Sequence, residues 1–342
     1  MNKILNLFDE KFVLSYFKKH ILPLYPYFVD IKKVKIRPYK KMVWEEDYHV
    51  VIEFETYFLN QDGGKNKIRI ICSAHDKEPR EKAFNILKYF WDSSVNSKPI
   101  EFPHPLFYSK EFRGVFYRAL RGRNLLYLLK EDKIEALKKK IKMAAIFFAR
   151  LHELKVDVNS EFSPEIEKIE NVVPGKEAIL REMSLRYNGL HDIDLKKDYD
   201  WFIESENKFL KNKKNISVIH GDAHLENLID VGPGRLGVID FSDFCYSDFA
   251  RDLGTFMQQV EYKVLSRSDF QDIVLAKELN DLFLSKYLEL RNIELDDDLK
   301  ERIRLYYYWT GIRSVVYLFL KFDKEPNRAL RLFEKLKKEM NL

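Results

Sequence analysis

After Gly122 the residue pattern changes from mainly strand-like to mainly helical, and this shift restricts the chain to a β-rich half followed by a helical half. Before it lie three strand-like runs, 29–37, 48–59 and 67–73, with the turn signal Gln61-Asp62-Gly63-Gly64 between the last two. A helical segment from about 78 to 91 follows, then a proline-containing stretch at 99–105, then short strands through Phe107-Tyr108 and at 115–120. The order βββαββ describes an antiparallel meander interrupted by one helix. An amphipathic helix over 3–22 precedes it, with Ile4, Leu7, Phe8, Phe12, Ser15, Tyr16 and Lys19 at helical spacing and Pro23 as its stop. Past the switch, 132–154 places Ile134, Leu137, Ile141, Ala144, Ala145, Phe148, Leu151 and His152 on one helical face. The stretch 157–199 is acidic and irregular before it turns helical, and the chain after Asp248 reads as helices with short connections.

Bulk properties narrow the function classes. With 342 residues, 46% hydrophobic and 33% charged, the chain suits a soluble globular protein with one large domain or two lobes. The net charge of +5 is spread over many surfaces without an arginine-rich arm, so no nucleic-acid partner is expected. No apolar run reaches the length of a membrane span, and Asp9, Glu10, Lys11, Lys18 and Lys19 interrupt the first 28 residues, so neither a membrane partner nor a signal peptide is expected. The two cysteines, Cys72 and Cys245, match no zinc or redox spacing, which points to a reducing, cytoplasmic setting.

One island of short apolar strands breaks the helical half. It runs Val218-Ile219-His220-Gly221-Asp222-Ala223-His224-Leu225-Glu226-Asn227-Leu228-Ile229-Asp230, then a Gly232-Pro233-Gly234 turn, then Leu236-Gly237-Val238-Ile239-Asp240-Phe241. Alone, an Asp ahead of a helix is an N-cap and an Asn nearby shapes a turn. Together they match a different demand. Phosphoryl transfer needs an aspartate beside the attacking hydroxyl and oxygen ligands for the metal that bridges the phosphates. The kinase catalytic loop supplies these as His-Arg-Asp, four residues, then Asn. Here His220-Gly221-Asp222 is followed by four residues and Asn227, and Ile239-Asp240-Phe241 stands where Asp-Phe-Gly would, with Ser242 in place of the glycine. The alternation of His220, Asp222 and His224 also allows three ligands of a hydrolytic metal on one strand face, but leaves the Asn227 and Asp240 spacing unexplained.

This island resembles the signature of the aminoglycoside phosphotransferase and choline kinase family, relatives of the protein kinases, which carries His-Gly-Asp-x-His-x-x-Asn and then a hydrophobic-Asp-Phe or -Trp segment. Asp252-Leu253, the helix end Ala149-Arg150-Leu151-His152-Glu153-Leu154 and the segment Arg121-Gly122-Arg123-Asn124-Leu125 are similar to further family segments. The resemblance implies an α+β, two-lobed protein-kinase-like fold. Residues 1–120 would form the nucleotide-binding lobe with a small antiparallel β-sheet, and 121–342 the larger, mostly helical lobe with the catalytic loop and acceptor site. It implies ATP and Mg²⁺ as cofactors, Asp222 as catalytic base or hydroxyl-orienting residue, Asn227 and Asp240 as Mg²⁺ ligands, and His220 as a brace for the loop. Asp252 would hold the loop's backbone, and the hinge Arg118-Ala119-Leu120 would face adenine. Apart from the family pattern, His152 reads as a hydrogen-bonded core residue.

The small lobe departs from the kinase pattern. The first turn, 38–47, has no glycine, though Lys40 and Lys41 lie there. The third strand offers Lys67 or Arg69, on one face by alternation, as the phosphate-binding cation, with Glu81 or Glu78 as its carboxylate partner. The acceptor is a small molecule with a hydroxyl, of the aminoglycoside, amino-alcohol or sugar class. A cationic acceptor would want carboxylates such as Asp243, Asp248, Glu261 and the acidic stretch 157–170, and choline would want an aromatic box, for which Tyr306-Tyr307-Tyr308-Trp309 is a candidate run that reads equally as core. The alternative is a weak or inactive kinase-like nucleotide-binding or scaffold module. A protein kinase is disfavoured, since no Ala-Pro-Glu segment follows Asp240.

Overall fold

The computed structural model describes residues 2–156, 166–187, 192–267, 271–321 and 326–340, which divide into two compact units. The first comprises residues 1–122 with 231–242, and the second 123–230 with 243–342.

In the first unit, strands β1 (Phe28–Val43), β2 (Tyr48–Asn60) and β3 (Lys65–His75) form the expected meander. After helix α2 (Glu81–Asp92) and the short strand β4 (Ile100–Glu101) come β5 (His104–Ser109) and β6 (Gly114–Arg118), and the five-stranded antiparallel sheet has the order β1-β2-β3-β6-β5. Strand β1 runs farther than the sequence suggests. It passes through Pro38 with a register shift between Pro38 and Lys40, so Lys40 and Lys41 pair with Val51 and Val50, and the turn shrinks to residues 44–47. Proline is tolerated there because β1 is an edge strand.

Alternation sends Tyr48, Val50, Ile52, Phe54 and Phe58 of β2 to one face, with Ile68, Ile70, Cys72 and Ala74 of β3. Helix α1 (Glu10–His20) covers that face, Phe17 meeting Phe54 at 5.0 Å between ring centroids. The expected single helix over 3–22 is split, because Asp9 accepts the Phe12 N–H at 2.7 Å and so caps α1 after a 3₁₀ segment, Lys3–Phe8. The opposite sheet face carries Lys67, Arg69, Ile71 and Ser73, with Glu53 and Glu55 of β2. Helix α2 buries Ala83, Ile86, Leu87 and Phe90, and Phe90 stacks on Phe102 at 5.3 Å. The remaining strand of this unit, from Leu236 to Val238, pairs in parallel with β4.

The second unit is mostly helical. It begins with β7 (Arg123–Asn124) and α3 (Leu125–Lys130), whose first turn is capped by Asn124 accepting the Tyr127 N–H at 3.2 Å. Next come α4 (Ile134–Glu153), α5 (Lys176–Tyr187), α6 (Asp192–Phe209), β8 (Ile216–Ile219) and β9 (Leu228–Asp230). Following β10, the Leu236–Val238 strand of the first unit, the chain returns through β11 (Cys245–Asp248) to α7 (Ala250–Arg267), α8 (Ile273–Arg291), α9 (Asp297–Lys321) and α10 (Pro326–Met340). Two short antiparallel ladders, β8 with β11 and β7 with β9, lie among these helices. Helix α4 packs on α8, and α7 on α9. The α7–α9 crossing is close because position 254 is glycine: a Cβ there would meet the Ile303 carbonyl oxygen at 2.5 Å.

Candidate active site

The loop from His220 to Asn227 leaves β8, which is fixed by its ladder with β11 and by burial of Val218 and Ile219. Its first turn needs a glycine. Gly221 has φ +80°, and a Cβ there would come to 2.3 Å from the carbonyl oxygen of Asp243. The fully buried Asp252 holds this turn: Oδ2 accepts the His220 N–H at 2.7 Å and Oδ1 the Gly221 N–H at 3.0 Å. Burial alone pushes the Asp252 carboxyl up, but hydrogen bonds from His152 and from the His220 backbone outweigh it and hold the group below the usual carboxylate range. Burial pushes the His152 imidazole down, so it is neutral. An ionised Asp252 only accepts, so Nε2 of His152 carries the proton to Asp252 at 3.1 Å, and Nδ1 accepts from the Tyr287 hydroxyl at 2.8 Å. His152 is thus a hydrogen-bonded core residue that links α4, α7 and α8 to the loop. His220 is 1% exposed, with its ring beside Phe147 and Phe244, and its Nδ1 faces the Asp222 N–H at 3.4 Å.

Asp222 and Asn227 come together on this loop. Asn227 Nδ2 donates to the Asp222 backbone oxygen at 3.0 Å and to its carboxylate at 3.2 Å. His224 Nε2 lies 3.3 Å from the same carboxylate. Burial would raise the Asp222 pKa, but the His224 hydrogen bond and the nearby imidazoles prevail and hold it at about 2. The carboxylate nonetheless remains 45% exposed and open to a ligand. For His224, burial pulls the imidazole down while Asp222 pulls it up, and the net direction is upward. The sequence suggested His224 only as a metal ligand, whereas here it is the charge partner of Asp222. Among the described residues, no three His, Cys, Asp or Glu side chains converge as a metal group, so the His220-Asp222-His224 metal reading has no geometry behind it.

The first unit contains Asp240. Its backbone is left-handed, at φ +64°, and its exposed carboxylate accepts from the Ser242 hydroxyl at 3.0 Å. Ser242 Oγ in turn accepts from Arg80 Nη1 at 2.8 Å. Burial pushes the Tyr117 phenol up, and the Asp240 charge adds to the rise. Arg80 carries no periodic or motif signal and escapes a reading of the sequence. It precedes α2, and its side chain is only 11% exposed.

The two β3 cations find their carboxylates on β2. Lys67 lies 3.1 Å from Glu55, and Arg69 lies 3.6 Å from Glu53. Glu81 is an exposed residue opening α2, and Glu78 sits 3.7 Å from Arg80. Arg69 also reaches the Leu120 carbonyl at 3.4 Å, while Ala119 N–H donates to the Arg69 carbonyl at 2.9 Å, so Arg69 lies beside the segment expected to be the hinge. Arg118, the last residue of β6, is exposed.

Candidate acceptor residues fare unevenly. Asp248 is buried and its carboxylate is taken by Arg302 at 2.7 Å, and Glu261 is taken by Lys335 at 2.5 Å, so neither supplies an open acidic wall. Asp243 is exposed, and residues 157–165 of the acidic stretch lie outside the described residues. Tyr306, Tyr308 and Trp309 are buried on α9, with the Tyr306 hydroxyl on Glu206 at 3.2 Å, so that run is core.

The model of the phosphotransferase enzyme family matches residues 50–288. No curated protein matches the chain. Among solved structures, the ethanolamine kinase of Plasmodium vivax is similar at 16% identity, covering 89% of this chain and 82% of its own, with a TM-score of 0.54. A spectinomycin phosphotransferase in complex with ADP and spectinomycin is similar at 12% identity, covering 96% and 94%, with a TM-score of 0.56. An amicoumacin kinase in complex with AMP-PNP, Ca²⁺ and Ami is similar at 15% identity, covering 94% and 92%, with a TM-score of 0.52. At these identities the likeness is one of fold, the kinase-like α+β arrangement of an antiparallel sheet and a helical part. The family match over more than half of the chain carries the assignment: this protein belongs to the phosphotransferase enzyme family.

Proposed function

We propose that the protein is a small-molecule kinase that transfers the γ-phosphate of ATP to a hydroxyl, with Asp222 as the residue that receives the hydroxyl. The observation that carries this reading is the Asp222–Asn227 pair on a loop clamped by Asp252. It combines an ionised, ligand-accessible carboxylate with a fixed backbone. In the proposed step the bond from the γ-phosphorus to the bridging oxygen of ADP breaks. A bond from phosphorus to the acceptor oxygen forms, and the hydroxyl proton passes to the Asp222 carboxylate. A carboxylate with a pKa of about 2 is a weak base, which suits a loose transition state in which the proton moves late and orientation matters more than basicity.

Asn227 and Asp240 fit a hard, oxygen-seeking cation. The Asn227 amide nitrogen is spent on Asp222, which leaves its oxygen as the donor, and Asp240 offers an exposed carboxylate. These two residues would hold Mg²⁺, which would supply positive charge against the negative charge developing on the phosphates. The hinge 118–120 is the proposed adenine contact. The two-lobe division at 120/121 is proposed as the functional one, the first lobe binding nucleotide and the second the acceptor, in a protein of the cytoplasm. No described helix is long and apolar enough to cross a membrane. The acceptor is proposed from the aminoglycoside, amino-alcohol or sugar class.

The test is an ADP-release assay with ATP, Mg²⁺ and a panel of such acceptors, run on the wild type and on Asp222→Asn. Acceptor-dependent turnover lost by at least about a hundredfold in a folded Asp222→Asn protein supports the reading, in line with the usual weight of a positioned acid–base group. Turnover near wild type in that variant removes Asp222 from the mechanism.

A further inference from the structure

On the kinase reading, the hinge 118–120 takes the adenine end of the nucleotide and Asp240 the phosphate end. Arg69 lies beside that hinge segment, on the Leu120 carbonyl, at the adenine end. The next two residues that β3 presents on the same face are Ile71 and Ser73, neither of them charged. Lys67 lies on the other side of Arg69, on Glu55, and is half exposed. Strand β3 therefore provides no cation toward the phosphates.

Arg80 fills that role in space, though not in sequence. One nitrogen of its guanidinium is anchored on Ser242 Oγ, which itself rests on the Asp240 carboxylate. Glu78, the carboxylate with which it forms an ion pair, is 3.7 Å away, too long for a hydrogen bond, and is itself 61% exposed. Among the described residues, its buried Nε has no hydrogen-bond partner. A guanidinium that is nine-tenths buried with an unfilled donor is costly to maintain unless an anion completes it. A planar donor fork matches phosphate oxygens.

Resting on the kinase reading above, we propose that Arg80 is the phosphate-binding cation of this protein, acting on the nucleotide's phosphates from the start of α2 in place of a β3 lysine, with Ser242 aiming it. Ser242, the departure from Asp-Phe-Gly, is then part of the same device, because the position supplies an acceptor for Arg80.

The test is calorimetric binding of AMP-PNP with Mg²⁺, and of adenosine, to the full chain as wild type, Arg80→Ala, Arg80→Gln, Arg80→Lys and Arg69→Ala. Gln keeps a donor for Ser242 without the charge, and covers the case in which Ala fails to fold. Loss of AMP-PNP affinity by about tenfold or more in Arg80→Gln, with adenosine unaffected and partial recovery in Arg80→Lys, is expected from losing a charge-assisted phosphate contact. Wild-type AMP-PNP affinity in Arg80→Gln, or an equal loss for adenosine and AMP-PNP, overturns the inference while leaving the kinase reading intact. A wild-type protein that binds neither ligand overturns both.

Discussion

Asp252 accepts the backbone N–H of His220 at 2.7 Å through the same carboxylate oxygen that takes the proton of His152. One buried anion thus joins the loop backbone to the helical core. Asp252→Asn puts an amide N–H against at least one of these donors. Hydrogen bonds to a charged group contribute about 1.5–3 kcal/mol each, so this variant should lose at least about 2 kcal/mol of stability in urea melts, and turnover should fall with it. An unchanged melting midpoint would show that the loop stands without its anchor.

Gly221→Ala is expected to be more damaging than its size suggests. The added methyl meets the Asp243 carbonyl oxygen at 2.3 Å, and the backbone is left-handed, a conformation that costs residues with a Cβ about 1–2 kcal/mol. The loop must move, carrying Asp222 with it. A loss of turnover exceeding the loss of melting temperature, measured side by side, is the expected outcome.

The Asp222–His224 pair gives stability a specific pH window. His224 is raised, so its share is fully present below the ordinary histidine value of about 6.5 and disappears as the pH climbs through the raised value. Asp222 is lowered to about 2, so its share is present above the ordinary aspartate value and disappears as the pH falls toward 2. The melting difference between the wild type and His224→Gln should therefore be largest between about pH 4 and 6.5 and shrink above neutrality. Solvent reaches the carboxylate, so the difference stays below about 1 kcal/mol. A difference that grows with pH would contradict the pairing.

Gly254→Ala tests the α7–α9 crossing. Its methyl would lie 2.5 Å from the Ile303 carbonyl oxygen and 2.7 Å from the Tyr307 nitrogen, both backbone atoms that cannot swing aside. Overpacking of this kind costs about 1–3 kcal/mol, which a calorimetric melt resolves.

Much of the molecule was legible because local rules and tertiary structure agreed. The β2 alternation from Tyr48 to Phe58 and the α4 stripe from Leu137 to His152 each follow the period of their element. The His220-Gly221-Asp222 to Asn227 spacing was legible because a loop with this chemistry has little freedom in sequence. What escaped depends on long-range contact. Asp248 and Glu261 looked like open acids until Arg302 and Lys335, distant in sequence, neutralised them. Arg80 and Ser242 are 162 positions apart, and no periodicity links them. The split of the first helix turned on one capping bond from Asp9, while the extension of β1 past Pro38 turned on its place at the sheet edge.

The backbone of Asp240 sits at φ +64°, where glycine is at ease and a residue with a Cβ is strained, aspartate less than most. Asp240→Gly should therefore melt about as high as the wild type or higher, even as it discards the carboxylate. Folding free energy thus pulls this position away from aspartate. A chain relieved of its chemistry could drift downhill in a single step, and would advertise the loss by gaining heat tolerance.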